Sequence, residues 1–297
     1  MSVTARDTNS GYGDVFADPR IATGRRTVGS GRHRLPKVWE NSPSRLIPQT
    51  WVLTARILRR WSRDPATVVQ SLVMPAGFLV ALDIVLGDGV EQVTGHSALY
   101  GSAPLVAMVG AMTGAVIGAV GIMRERDDGL LSRLWVVPVH RASGLLARLA
   151  ADAVRIMVIT AVVMCVGLAL GLRFKQGIPE TVAWLFVPAI FGVALSAAVI
   201  TLALWSANTN VPQATEIVIA LLMFFSTGFV PLDQYPKWLK PVVEHQPVSY
   251  SIEAMRGLSL GGPILEPLVG TVLWSVGIAA LCAVPMGIGY RRASKRG

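Results

Sequence analysis

Six long apolar stretches constrain the fold of this chain more than any other feature. The hydrocarbon core of a bilayer is about 30 Å thick, so a helix needs about 20 apolar residues to cross it. The stretches are Ala66–Gly87, Pro104–Met123, Ile156–Leu172, Val182–Trp205, Ala214–Val230 and Leu268–Ile288. They predict an all-α integral membrane protein with six transmembrane helices. The fifth stretch is the weakest, because only 14 uncharged residues, 217–230, follow Glu216.

The composition argues against several other classes of protein. Charged residues make up 15% of the 297 residues, whereas a soluble domain carries about 25%. Cys165 and Cys282 both lie in apolar stretches, so neither a disulfide scaffold nor a Cys-based zinc site is predicted. The net charge of +9 comes with no recognition helix or basic face bearing stacking aromatics. We therefore expect anionic membrane lipids, and not nucleic acid, as its partner.

The basic residues predict the orientation of the spans. Six crossings place both termini on one side, and 22 of the 27 Lys and Arg residues fall on that side. Because basic loops are retained in the cytoplasm, both termini should be cytoplasmic and the protein should cross the cytoplasmic (inner or plasma) membrane several times. Residues 1–44 lack apolar periodicity and are expected to form a disordered cytoplasmic N-terminus. Residues 291–297 form a basic cytoplasmic tail.

Residues 45–65, just before the first span, predict an amphipathic helix. At 100° per residue, one arc of this helix is basic and contains Arg56, Arg59, Arg60 and Arg63. The remaining, mainly apolar, face includes Trp51 and Trp61. This pattern favours a helix that lies in the membrane interface. The alternative is a soluble helix packed on another domain.

A charged segment follows the second span directly. Five of the six residues 124–129 are charged, and Leu130, Leu131, Leu134 and Trp135 follow at helical spacing. These residues are too few to span a membrane, so they predict a short amphipathic cytoplasmic helix. It ends before Pro138, whose ring blocks further helix. The pattern alone leaves two interpretations equally open, a solvated loop and a docking site for a partner.

Two stretches resemble the ABC-2-type transporter permease family. In that family the pattern E-R-E-x-G-x₄-L-x₃-P follows the second transmembrane helix. The matching residues here are Glu125, Arg126, Gly129, Leu134 and Pro138, with Asp127 where many members have Glu. The second stretch, Gly228–Leu258, resembles the family pattern between the last two spans. Within the family, the chain resembles the daunorubicin-resistance-type permeases of actinobacteria, particularly the mycobacterial branch linked to complex cell-envelope lipids.

The resemblance implies a fold and partners. It implies a six-helix transmembrane domain over residues 66–290, with short re-entrant outer helices between the fifth and sixth spans. Such permeases form homodimers or heterodimers and bind two copies of an ABC ATP-binding subunit. ATP and Mg²⁺ are held by that subunit, and the chain itself has no Walker motif, so no cofactor is expected here.

The resemblance also implies which residues couple to the ATP-binding subunit. The helix after the second span fits a groove on that subunit, aided by the interfacial helix. By position, the coupling residues are Arg124, Glu125, Arg126, Gly129, Leu130, Arg133, Leu134 and Pro138.

Within the membrane, small and charged residues predict helix packing. Gly110, Gly114, Gly118 and Gly121 form a smooth stripe on the second span, where another helix can approach closely. This partner helix belongs either to the same subunit or to a second permease. Asp152 and Arg155 are three residues apart at the inner rim, so we expect a local ion pair.

A hydrophobic interior poor in charge favours an amphiphilic cargo, such as complex cell-envelope lipids or hydrophobic drugs, over ions. Efflux of such drugs would confer antibiotic resistance. The candidate cargo contacts are Met223, Phe224, Phe225 and Phe229. Their alternative role is ordinary packing or contact with lipid.

Two other functions compete with export by a permease. A lipid-modifying membrane enzyme would need clustered His, Asp or Glu residues at the membrane face. The four histidines are scattered and lack HExxH spacing, so no catalytic or metal-binding residue is predicted. A non-catalytic membrane scaffold fits the spans, but it does not explain the charged signature after the second span.

Overall fold

The computed structural model describes residues 43–129, 142–206 and 210–295. This part of the chain is helical and contains no strand. Nine helices and one 3₁₀ helix, Leu232–Gln234, occur in the described ranges. The helices are α1 (Pro43–Ser62), α2 (Pro65–Thr94), α3 (Leu99–Asp127), α4 (Ser143–Leu170), α5 (Ile178–Trp205), α6 (Val211–Phe224), α7 (Lys240–His245), α8 (Pro247–Leu260) and α9 (Leu265–Lys295).

Five helices in the described ranges are long and apolar enough to cross a bilayer, namely α2, α3, α4, α5 and α9. They confirm five of the six predicted spans. The remaining one, Ala214–Val230, is only partly helical, because α6 ends at Phe224. Its 14 residues rise about 21 Å, less than the thickness of the hydrocarbon core.

Polar side chains explain why α6 can end early. The Tyr235 hydroxyl donates to the Phe224 carbonyl at 3.0 Å. The Gln246 amide donates to the carbonyls of Leu222, at 3.4 Å, and of Phe225. Carbonyls freed at a helix end inside a membrane protein must find such partners, because lipid offers none.

The chain passes between two ends of the helix bundle. At the first, which we call the Arg124 end, α3 finishes and α4 begins. At the second, the Tyr100 end, the Tyr100 hydroxyl of α3 donates to the carbonyl of Arg173, just after α4, at 3.0 Å. Pro212, in the first turn of α6, lines a cavity together with Arg124, so α6 begins at the Arg124 end. Gly228 approaches Leu105 near the opposite end. The segment containing α6 therefore extends from the Arg124 end towards the Tyr100 end, although α6 itself is too short to span a bilayer.

α3 and α5 lie at the centre of the bundle. In the most apolar stretch of α3, 67% of the residues are buried, and in that of α5, 61%. In α2 and α9 the share is 11%. The outward-facing residues of α9 include Leu273, Leu281 and Val284. Such a surface requires lipid or another apolar surface around it.

Three of the four glycines in the predicted α3 stripe face α4 of the same chain. A Cβ atom on Gly110 would lie 2.6 Å from Cγ2 of Ile159, and one on Gly118 would lie 2.7 Å from Oδ1 of Asp152. One on Gly114 would lie 3.3 Å from Cγ1 of Ile156. Gly121 has no such neighbour within 4 Å. The close approach along Gly110, Gly114 and Gly118 is therefore made inside the subunit.

α1 occupies the predicted amphipathic segment and packs on α4. Thr54 is buried, and its hydroxyl lies 3.3 Å from the Ala147 carbonyl that accepts its hydrogen bond. Arg56, Arg59, Arg60 and Arg63 are all exposed, in agreement with a basic stripe. The two tryptophans differ, since Trp51 is 71% exposed whereas Trp61 lies 5.8 Å from the guanidinium of Arg155. One part of the apolar face of α1 therefore packs on the helix bundle, and another part is exposed.

Short elements connect α6 to α9 at the Tyr100 end. The 3₁₀ helix, α7 and α8 stand where the resemblance implies re-entrant helices. α8 buries Val248, Ile252 and Met255 among residues of α3 and α5.

Candidate functional site

The charged signature begins in the last turn of α3. Of the predicted coupling residues, the structure describes Arg124, Glu125, Arg126 and Gly129, whereas Leu130, Arg133, Leu134 and Pro138 lie outside the described residues. Gly129, the second residue after α3, has a φ of 67°, a left-handed conformation that suits glycine just beyond a helix end. Arg124 is exposed, but Glu125 and Arg126 are partly buried. The charged residues of one turn thus have different surroundings.

Glu125 forms ion pairs with two other helices. Its Oε2 accepts a hydrogen bond from Nη2 of Arg148 in α4. Its Oε1 lies 3.9 Å from Nη1 of Arg60 in α1. The side chain of Glu125 is 18% exposed and that of Arg148 is 10% exposed, whereas that of Arg60 is 62% exposed. The pair with Arg148 is therefore shielded from water and is the stronger of the two.

Arg126 binds the end of α5. Its Nη1 donates to the carbonyls of Ala203, at 3.2 Å, and Ser206, at 2.9 Å. The last carbonyls of a helix lack partners within the helix and carry partial negative charge, so a guanidinium is well placed there. Arg126 consequently attaches the end of α3 to the end of α5.

A second ion pair lies deeper in the bundle and confirms the predicted contact. Nη1 of Arg155 is 3.1 Å from Oδ1 of Asp152 and 3.2 Å from the Gly114 carbonyl. The two side chains are 4% and 2% exposed. Nε of Arg155 and Oδ2 of Asp152 have no hydrogen-bond partner among the described residues.

A cavity of about 340 Å³ opens beside these pairs at the Arg124 end. α2, α3 and α6 contribute Thr67, Ile117 and Glu216 to its lining, and α1 and α4 contribute Trp61 and Asp152. Asp64, also in the lining, accepts hydrogen bonds from the Thr67 hydroxyl, at 2.6 Å, and the Thr67 backbone N–H, at 3.4 Å. These bonds hold the pKa of Asp64 below its usual value.

A second cavity, of about 250 Å³, lies at the Tyr100 end. It is lined mainly by apolar groups and by Arg256, whose Nη1 is 2.8 Å from Oε1 of Glu253. Of the candidate cargo residues, Phe229 lines this cavity, and its ring lies 5.1 Å from that of Phe224. Phe224 and Phe225 are exposed at the bundle surface and Met223 is partly buried. The four residues therefore do not share one cavity.

Sequence reasoning missed Arg148 as a member of this site. One feature of the sequence could have indicated Arg148: it lies four positions before Asp152 and therefore on the same helix face. The partner Glu125 is 23 residues away in the chain, too far for helical spacing to reveal. Within the described ranges, no three His, Cys, Asp or Glu side chains lie together in a way that could hold a metal ion.

Comparisons with known proteins agree on one family. Residues 48–260 match the family described as ABC-2 type transporter. The chain is 48% identical over 274 residues to the probable doxorubicin resistance ABC transporter permease protein DrrC of Mycobacterium tuberculosis, covering 92% of this chain and 99% of that protein. It is 23% identical over 250 residues to the daunorubicin resistance ABC transporter permease protein DrrB1 of Streptomyces coeruleorubidus, covering 84% and 86%. It is also 23% identical over 225 residues to the putative transport permease ycf38 of Cyanophora paradoxa, covering 71% and 74%.

Proposed function

Because the chain belongs to the ABC-2 type transporter family, we propose that it is the permease subunit of an ATP-driven exporter of amphiphilic molecules. It is a transport subunit and not an enzyme. The observation that carries the proposal is the 48% identity to a permease over 99% of that protein's length. The helical, apolar bundle supports it, since long apolar helices supply a path through lipid.

The proposed cargo is a hydrophobic drug or a complex cell-envelope lipid. Relatives are named for resistance to doxorubicin and daunorubicin, which favours such a drug as the first compound to test. Both cavities lie along α3 between α2 and the segment that contains α6, one at each end of the bundle. Cargo would contact Phe229 at the Tyr100 end, with Met223, Phe224 and Phe225 as further contacts.

The proposed complex contains two permease subunits, identical or different, and two ABC ATP-binding subunits that hold ATP and Mg²⁺. The exposed apolar faces of α2 and α9 offer surface for a second permease or for lipid. The ATP-binding subunits would act on the segment that starts at Arg124 and includes Leu130, Arg133 and Leu134.

The proposed orientation places the Arg124 end and both termini at the cytoplasmic face of the cytoplasmic membrane. Its support is the positive charge of that side of the chain. α1 would then lie at the inner membrane surface, with its exposed arginines near anionic lipid headgroups.

The test is purification and reconstitution of the complex. We expect an ABC ATP-binding subunit to co-purify with the chain, and liposomes holding the complex to move doxorubicin only when ATP is supplied. A complex with a non-hydrolysable ATP analogue serves as the control. Recovery of the chain without an ATP-binding subunit, together with ATP-independent doxorubicin movement, would contradict the proposal.

A further inference from the structure

The last turn of α3 contains charged residues that face in two directions. Arg124 and Asp128 are exposed. Glu125 and Arg126, placed between them, direct their side chains to other helices of the same chain. Groups already committed to internal partners are poorly available to a separate subunit, because the internal bonds would have to break first.

We infer that Glu125 and Arg126 are positioning residues, which transmit a displacement of the end of α3 to α1, α4 and α5 and do not bind the ATP-binding subunit. This inference rests on the proposed function. It narrows the set of docking residues that the family resemblance implies, and it assigns Arg148 to the same mechanism.

Glu125 suits this role because its carboxylate joins three helices. It connects α3 with Arg148 of α4 and, more weakly, with Arg60 of α1. Arg148 also lines a small cavity with Glu125, Gly144 and Tyr290 of α9. A shift of α3 would therefore move a shielded ion pair at a point where several helices meet, and packed helices transmit such shifts.

Arg126 suits the role because its partners outside α3 are main-chain atoms, while its Nε lies 3.4 Å from Oδ1 of the neighbouring Asp127. Two carbonyls at the end of α5, those of Ala203 and Ser206, accept hydrogen bonds from one guanidinium nitrogen. Displacing the end of α3 would thus pull on the backbone of α5 itself. Since α5 lies at the centre of the bundle, a displacement passed to α5 acts on the core of the bundle.

The inference is tested in the whole complex, reconstituted in liposomes with doxorubicin as the probe. Three quantities are measured for each variant: the amount of ATP-binding subunit recovered, the rate of ATP hydrolysis, and the doxorubicin moved per ATP hydrolysed. We expect Glu125→Arg and Arg126→Ala to leave recovery unchanged and to lower the transport ratio at least about tenfold, within the usual range of coupling between sites. Asp128→Asn is the matched control, because Asp128 is exposed in the same turn.

Rescue separates a positioning role from general damage. The double variant E125R/R148E restores the ion pair with its charges exchanged, and we expect a transport ratio within about threefold of wild type. Arg126→Lys should retain more of the ratio than Arg126→Ala, since one ammonium can still donate to either carbonyl. If Glu125→Arg does not reach the membrane, Glu125→Gln replaces it, with an expected fall of at least about fivefold.

Three results would overturn the inference: loss of the ATP-binding subunit from Glu125 or Arg126 variants but not from Asp128→Asn, an E125R/R148E variant no better than E125R, or a Glu125→Gln variant with an unchanged transport ratio. A failure of the proposed function looks different. In that case the wild-type complex itself would lack an ATP-binding subunit or ATP-dependent doxorubicin movement.

Discussion

The Arg124 end and the Tyr100 end each hold an acid–arginine pair three residues apart on one helix, and burial is the main difference between them. Arg155 lies 3.1 Å from Asp152, and Arg256 lies 2.8 Å from Glu253. The side chains of the first pair are 4% and 2% exposed, whereas those of the second are 32% and 36% exposed. The three-residue spacing therefore gives ion pairs of similar geometry at both ends. The free-energy cost of leaving one charge without its partner is much higher in the buried pair than in the partly exposed one.

The two ends also join their helices by different bonds. At the Arg124 end, charged side chains of Glu125, Arg126 and Arg148 connect one helix with another. At the Tyr100 end, hydrogen bonds between neutral groups predominate, as between the Tyr100 hydroxyl and the Arg173 carbonyl, or the Lys175 N–H and the Ser259 carbonyl. Charge substitutions should consequently affect the first end more than the second.

The largest expected effect is that of Asp152→Ala. This change leaves the guanidinium of Arg155 buried without its carboxylate, which costs about 3–5 kcal/mol of unfolding free energy. The measurement is a denaturant titration of the purified protein in detergent micelles. Glu253→Ala is the matched variant at the other end, and its loss should stay below about 1 kcal/mol because its pair is partly solvated. Equal losses in the two variants would show that burial does not distinguish the ends.

A smaller effect is expected where Asp152 meets α3. Gly118→Ala would place a Cβ 2.7 Å from Oδ1 of Asp152, so the buried ion pair must shift. Overpacking of this kind costs about 1–3 kcal/mol. Gly121→Ala on the same helix is the control, because nothing lies within 4 Å of its added Cβ. The comparison is again made by denaturant titration, and a Gly118→Ala variant as stable as Gly121→Ala would count against the close approach of Asp152 to Gly118.

The sequence predicted those features that depend on local spacing. Five of the six apolar stretches are long helices, and the three-residue separation of Asp152 and Arg155 predicted their contact. It could not predict that Glu125 pairs with Arg148, because the two residues belong to different helices whose register depends on the whole bundle. The carbonyl partners of Arg126 could not be predicted either, because every residue type has a main-chain carbonyl.

The length of α6 shows a second limit. The stretch from Ile217 to Val230 contains no charged residue, so its charge pattern gives no reason for the helix to end at Phe224. The reason lies in Tyr235 and Gln246, which supply hydrogen bonds to the carbonyls freed at that point. Such a termination depends on residues that are distant along the chain.

At the Tyr100 end, Tyr100→Phe removes a single hydrogen bond between neutral groups. The loss of the donor to the Arg173 carbonyl should lower the free energy of unfolding by about 0.5–1.5 kcal/mol. Tyr250→Phe is its control, because Tyr250 contacts His245 through its ring, with 6.1 Å between the ring centroids, and phenylalanine keeps that ring. If both variants unfold at the same denaturant concentration as the wild type, hydroxyl bonds do not hold this end together.

The smallest effect is expected from Asp64, at the start of α2 on the Arg124 end. Its hydrogen bonds with Thr67 lower its pKa in the folded state from the ordinary 3.8. In the range between the two pKa values, the unfolded chain binds more protons than the folded one, so this contribution to stability is present above the unfolded pKa and disappears as the pH falls through the folded pKa. The denaturation midpoints of wild type and Asp64→Asn should therefore differ by a constant amount from pH 7 to about pH 5 and converge below about pH 4. A difference that grows on acidification would mean that the carboxylate of Asp64 is destabilising, contrary to its bonds with Thr67.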